Sequence, residues 1–309
     1  MTKDIENQIQ LDEELLNLVN IGIWPPKMKL DPIGWIGNFQ PDEQKLARRL
    51  LKNFLYFSQI MTEEMFKSNF QSLSKYILTD KSNFEECVQQ WNNFLNNSYI
   101  VRVTGEEPSD ADSGYTFSRW SRNLLGYDES QLLTPEKALE VLEQQPERLN
   151  NFIFVDDFVG SGNQFVDFWH RRWFKNLSFS NFEGKTPSNF FYIPIFATKL
   201  GYTNITNNCT GVQIVTCHVL DNTTSALDTN SYIWKDIDFD GISKIQEISR
   251  RIGIPMTNGQ VIDHGNGTKD VSWNGFHGLG LALAINHSCP DATLPIFYFS
   301  SEDWKPLIK

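Results

Sequence analysis

Three apolar runs, Phe152–Val155, Phe190–Ala197 and Val212–Val219, restrict this chain more than any other feature. A strand with one wet face alternates polar and apolar residues. A continuous run suits a strand covered on both faces, as in a parallel sheet packed between helices. Residues 163–176, between the first two runs, are long enough for a crossover helix. Only 14 residues, 198–211, separate the second and third, so that crossover is expected to be short or irregular. With the β-type run Tyr99–Val103 ahead of them, the strands define an α/β core.

The flanks read differently. Residues 1–97 are expected to be helical, with Leu46, Leu50, Phe54 and Phe57 forming an apolar stripe behind Pro41. Ser82-Asn-Phe-Glu85 fits a capping box for a helix running to about Phe94. Further helices are expected near Phe117 and at Pro135, with Thr134 as N-cap. Beyond the core, Ser243–Arg251 reads as a helix and Leu294–Phe299 as a final strand. The organisation expected is a helical region over 1–97, the parallel-sheet α/β core over 98–235, and a mixed α+β extension over 236–309. No internal repeat or low-complexity linker marks the boundaries.

Composition excludes several classes. Forty per cent hydrophobic and 21% charged residues describe a packed globular chain rather than a disordered one. The 23 Phe and nine Trp supply large rings for cores, and some for a partner surface. A net charge of −11 disfavours direct nucleic-acid binding, since the basic residues cluster only in pairs such as Arg171-Arg172. Cys87, Cys209, Cys217 and Cys289 lack metal-ligand spacing. No apolar segment of secretory or membrane-spanning type appears, so no membrane association and a reducing cytoplasm are expected.

The first run carries the chemistry. It leads into Asp156 and Asp157, and Gly160-Ser-Gly162 then opens a helix near Asn163. Ligands of open α/β sheets bind beyond the carboxyl ends of strands, so the acids are expected at a site mouth. Glycines let the backbone approach a ligand closely, and the amides of a helix N-terminus converge on an anion. The acids would repel that anion if they shared its position. One step away they accept hydrogen bonds from vicinal sugar hydroxyls or help to hold Mg²⁺. A phosphate beside a diol describes a ribose 5-phosphate.

Val155-Asp-Asp-Phe-Val-Gly-Ser-Gly162 resembles the Val-Asp-Asp-x-x-x-Thr-Gly motif of phosphoribosyltransferases, with Ser161 for the usual Thr. Asn163 and Gln164 depart from the common Gly and Thr, which alters the far end of the cradle. The wider chain resembles the phosphoribosyltransferase-like proteins of bacterial conflict and anti-phage systems. Trp35, Asp112-Ser-Gly114, Pro290-Asp-Ala-Thr-Leu-Pro295 and Trp304-Lys-Pro-Leu307 carry that resemblance. It implies binding of phosphoribosyl pyrophosphate or a nucleotide by Val159, Gly160, Ser161, Gly162, Asn163 and Gln164, with Asp156 and Asp157 as catalytic and Mg²⁺-holding acids. Asp112, Ser113, Gly114 and Arg119, with Arg122, are candidates for the pyrophosphate side, where Val101-Arg-Val-Thr-Gly105 is a poor match to the family's second loop.

Weaker signals point elsewhere. An ATPase would need a phosphate loop, and Gly184-Lys-Thr186 has Phe179 where its first Gly belongs. Gly275-Phe-His-Gly278-Leu-Gly280 lacks the third Gly of a dinucleotide fingerprint and suits close packing, with His277 a core or surface residue. Three roles stay open: an enzyme acting at the ribose C1 position, a nucleotide sensor without turnover, and an interaction subunit of a defence complex. A reverse transcriptase with its RNA, or a helix-turn-helix protein, would be the partner in such a complex.

Overall fold

The apolar runs do lie side by side. The structure, a computed structural model, describes residues 12–104, 113–263, 269–287 and 289–309. By internal contacts the chain divides into two compact units, Glu63–Leu220 and Met1–Thr62 with Asp221–Lys309.

The first unit is built on a parallel sheet. Its strands are β1 (Ser98–Arg102), β2 (Leu132–Leu133), β3 (Asn151–Val159), β4 (Asn189–Thr198), β5 (Val212–Ile214) and β6 (His218–Leu220). They stand in the order β2-β1-β3-β4-β5, with β6 also pairing with β4. The expected α/β fold with a parallel sheet is therefore the observed one. Run three is split, because β5 pairs with Phe190–Tyr192 and β6 with Phe196–Thr198.

Four helices connect these strands: α1 (Ser113–Leu125), α2 (Pro135–Gln144), α3 (Asn163–His170) and α4 (Lys199–Asn208). The short second crossover is regular after all, since Thr198 caps α4 by accepting from the Gly201 amide. Thr134 caps α2 as expected. Helix Phe84–Asn96 starts one residue later than the capping-box reading, because Asn83 rather than Ser82 accepts from the Glu86 amide.

Helices α2, α3 and α4 pack one face of the sheet in a core containing Leu139, Phe154, Phe165, Phe168, Tyr192 and Ile205. Helix α1 contributes Phe117, whose ring lies 5.2 Å from Phe66. Residues 63–97 belong to this unit, where Phe70 meets Tyr127 and Phe94 meets Phe191.

In the second unit the helix Gln44–Lys52 buries Leu46, Ala47, Leu50 and Leu51. It stops before Phe54, so the expected stripe ends early and Phe57 lies in a strand. That strand, Leu55–Phe57, pairs in parallel with Leu283–Ile285 and occupies the middle of a stretch expected to be wholly helical. Leu294–Phe299 forms no strand, because Pro295 starts the 3₁₀ turn Pro295–Phe297. The Trp35 indole donates to the Ile296 carbonyl at 2.8 Å, Trp304 donates to the same oxygen at 3.3 Å, and the Trp35 ring stacks on Phe297. Trp35→Phe keeps the stacking but removes the shorter bond. Urea unfolding is expected to register a loss of about 1 kcal/mol. Among the described residues no helix is long and apolar enough to cross a membrane.

Candidate ribose-phosphate site

The strand order has a consequence for binding. From β1 the chain moves to one side of the sheet, to β2; from β3 it moves to the other, to β4. Ligands of open α/β sheets bind in the crevice at such a reversal, outside the carboxyl ends of the strands. Here the reversal lies between β1 and β3, which pair from Ser98–Asn151 to Arg102–Val155. One side of it therefore carries Arg102 and Thr104, and the other carries the acid pair.

The acids do not end their strand. β3 continues through Asp156 and Asp157 to Val159, and both side chains are nearly buried, at 6% and 7% exposure. The sheet itself changes at this point. Asp156 stands opposite Pro194, which has no N–H for the ladder, and Phe158 stands opposite Phe196. The Asp157 amide donates instead to Asp156 Oδ1 at 2.9 Å. Asp156 Oδ2 accepts from the Tyr192 hydroxyl at 2.9 Å. Burial, followed by the Asp156 carboxylate, pushes the Tyr192 phenol well above its usual value and keeps it a donor.

The turn itself is held from β4 and α4. The Thr198 hydroxyl donates to the Gly160 carbonyl at 2.5 Å and accepts from the Gly201 amide at 3.0 Å. Asn204 Nδ2 donates to the Ser161 carbonyl at 2.8 Å and to Asn163 Oδ1 at 2.9 Å. Gly162 caps α3 in the left-handed region, at φ 79°. A Cβ there would sit 2.7 Å from the Gly201 carbonyl oxygen. Turn acceptors are thus bound on the α4 side. The Ser161 and Gly162 amides meet no acceptor among the described residues, while the Asn163 amide has only a long 3.4 Å bond to Ser161 Oγ. A helix N-terminus with such amides attracts an anion.

The other expected residues fall as follows. Val159 is buried and its side chain belongs to the core. Gln164 and Asn163 are exposed on the first turn of α3. Ser113 and Gly114 open α1, and Asp112 lies outside the described residues. Arg119 is exposed on α1, whereas Arg122 is ion-paired with Glu129. Arg102 places its guanidinium 3.9 Å over the Tyr115 ring, and its Nε is buried with no hydrogen-bond partner among the described residues. The Thr104 hydroxyl is likewise buried and has no hydrogen-bond partner among the described residues. Polar atoms left in that state cost free energy unless a ligand or water satisfies them.

Sequence reasoning missed Tyr192, Thr198, Gly201 and Asn204. The first is hidden in an apolar run, and the other three follow it on the next crossover. A Gly-containing helix start right after β4 was the available signal.

Other sites are less equipped. A cleft of about 220 Å³ at the amino ends of β4 and β5 is lined by Ser188, Asn189, Thr210 and Gln213 and by no titratable group. Burial pushes the Cys209 thiol up to about 12 and Cys217 up to about 11, so neither is a ready nucleophile at neutral pH. Among the described residues no three His, Cys, Asp or Glu side chains gather as a metal cluster.

The PRTase-CE family profile matches residues 32–309, nearly the whole chain and all of the sheet. The chain belongs to the PRTase-CE family. PRTase-CE is a phosphoribosyltransferase-like family, and the match runs through Trp35, the acid pair and Trp304 alike. Comparison with curated proteins and with solved structures gives no match for this PRTase-CE chain.

Proposed function

We propose that this PRTase-CE protein binds a ribose 5-phosphate group, as phosphoribosyl pyrophosphate or a nucleotide, and acts as an effector in anti-phage defence. The observation that carries the ligand is the one-sided turn. Its carbonyls are tied to Thr198 and Asn204, so its amides are left for an anion beside two carboxylates. The phosphate would lie against Ser161, Gly162 and Asn163. Asp156 and Asp157 would accept from the ribose hydroxyls. Mg²⁺ fits the same pair, because it is commonly held by one or two carboxylates together with ligand phosphates. When bound it would neutralise pyrophosphate charge. Arg102, whose Nε has no partner among the described residues, would serve the pyrophosphate end in place of the engaged Arg122.

Chemistry of this class develops positive charge on the ribose ring at C1, and the chain's contribution is to orient the sugar and hold acids near that charge. The defence role, with the possibility of a nucleic-acid-bearing partner complex, rests on the family resemblance. A net charge of −11 supports recruitment through a partner rather than direct contact with RNA or DNA. Four free cysteines suit a reducing cytoplasm.

The test is titration calorimetry with phosphoribosyl pyrophosphate and Mg²⁺. Wild type is expected to bind, and the Asp156→Asn, Asp157→Asn double variant to lose at least about a hundredfold in affinity, given two charge-assisted contacts. Equal affinity in the two proteins removes the proposal. Release of product from labelled ligand separates an enzyme from a sensor, which would bind without turnover.

A further inference from the structure

Asp156 is braced by a residue that the ligand contacts proposed above leave out. Tyr192 lies on β4, two residues ahead of the Asp156–Pro194 pair and in register with Phe154. It is 1% exposed, and its ring stacks on Phe165 of α3 at 3.8 Å and 9°. Clamped in this way, the phenol can place its hydroxyl in one direction, and there it meets Asp156 Oδ2. The Asp157 amide holds Oδ1 from another direction. Donors arriving from two directions, one on each oxygen, fix the rotation of the carboxylate.

We propose that Tyr192 is a positioning residue of the ribose site, fixing the Asp156 carboxylate in the orientation that accepts the sugar diol. The inference rests on the ribose 5-phosphate reading. It adds that recognition of the diol depends on β4, and that the Tyr192–Phe165 stack ties the diol-binding acid to the helix that receives the phosphate. A purely structural tyrosine would affect every ligand alike. A positioning tyrosine affects only ligands that carry the hydroxyl in question.

The experiment uses the full chain with Mg²⁺ and two probes, ribose 5-phosphate and 2-deoxyribose 5-phosphate, titrated separately in a calorimeter. Wild type is expected to prefer the first. Tyr192→Phe preserves the stack and should reduce that preference about tenfold, the effect of a hydrogen bond to a charged group, with affinity for the deoxy sugar unchanged. Equal weakening toward both probes, or an undiminished preference, overturns the proposal while leaving the ribose reading intact. Binding of neither probe by wild type overturns both. Should Tyr192→Phe fail to fold, Asp156→Asn is the second variant, isosteric but with one acceptor oxygen, so that it accepts from Tyr192 or from the Asp157 amide and not from both. Loss of the preference in that variant supports the assignment of the diol to Asp156, and full retention overturns it.

Discussion

Gly162→Ala is expected to destabilise the sheet-bearing unit by about 3 kcal/mol, combining roughly 1–2 for an L residue held in the left-handed region with 1–3 for overpacking. The clash is with backbone, which cannot swing aside. The added Cβ would lie 2.7 Å from the Gly201 carbonyl oxygen and 3.1 Å from its Cα. Gly201 is no freer to retreat, since its own Cβ position is 2.3 Å from the Gly160 carbonyl oxygen. The two glycines therefore let the turn and the start of α4 touch. Gly160 is the internal control. Its Cβ would meet only a Phe158 ring carbon, at 3.6 Å, and its φ is not left-handed. Chemical denaturation of both alanine variants decides the matter, because equal stability of Gly160→Ala and Gly162→Ala would disprove the close approach.

Phe154→Ala should cost more, about 4 kcal/mol, as buried aromatic truncations commonly do. Phe154 is fully buried in the middle of β3. Its ring has edge contacts with Phe165 at 5.6 Å, Phe168 at 5.5 Å, Trp169 at 6.1 Å and Phe179 at 4.9 Å. Phe165 and Phe168 are stacked on each other, so neither collapses easily into the space left behind. The same cluster seats α3 on the sheet, and α3 opens with the turn amides proposed above to meet the phosphate. Loss of ribose 5-phosphate binding is thus expected to accompany the loss of stability. A midpoint of urea unfolding unchanged from wild type would contradict this account of the core.

Much of this was legible in the residues. Phe152–Val155 and Phe190–Ala197 lack polar alternation because both faces of β3 and β4 are covered, and burial on two faces is what a continuous run records. The glycine turn could be read because Gly-Ser-Gly after a strand has few other uses. Periodicity failed where a different force set the local structure. The stripe through Leu46 and Leu50 continues arithmetically to Phe54 and Phe57, yet the helix stops at Lys52. The segment after it pairs with Leu283–Ile285, a partner more than 200 residues away that no local pattern reveals. Val212–Val219 read as one strand, but Thr216 and Cys217 turn back to the Ile195 carbonyl and divide it. Within the site, an apolar run concealed Tyr192, whose hydroxyl acquires meaning only from an acid on the next strand. Arg122 looked available in the sequence because its partner, Glu129, lies on a short 3₁₀ turn that spacing did not suggest.

The strand order also bears on how the two walls of the crevice can change. Asp156, the turn, Tyr192, Thr198 and Asn204 all fall within one consecutive β-α-β-α stretch, residues 151–208. Contacts so close along the chain form at low loop-closure cost, so this half can assemble as a single folding module. Arg102 and Tyr115 reach the crevice from an earlier segment and are joined to that module through strand pairing. Substitutions in the earlier segment can therefore reshape that wall of the crevice, while the module keeps its own fold and the geometry of its turn.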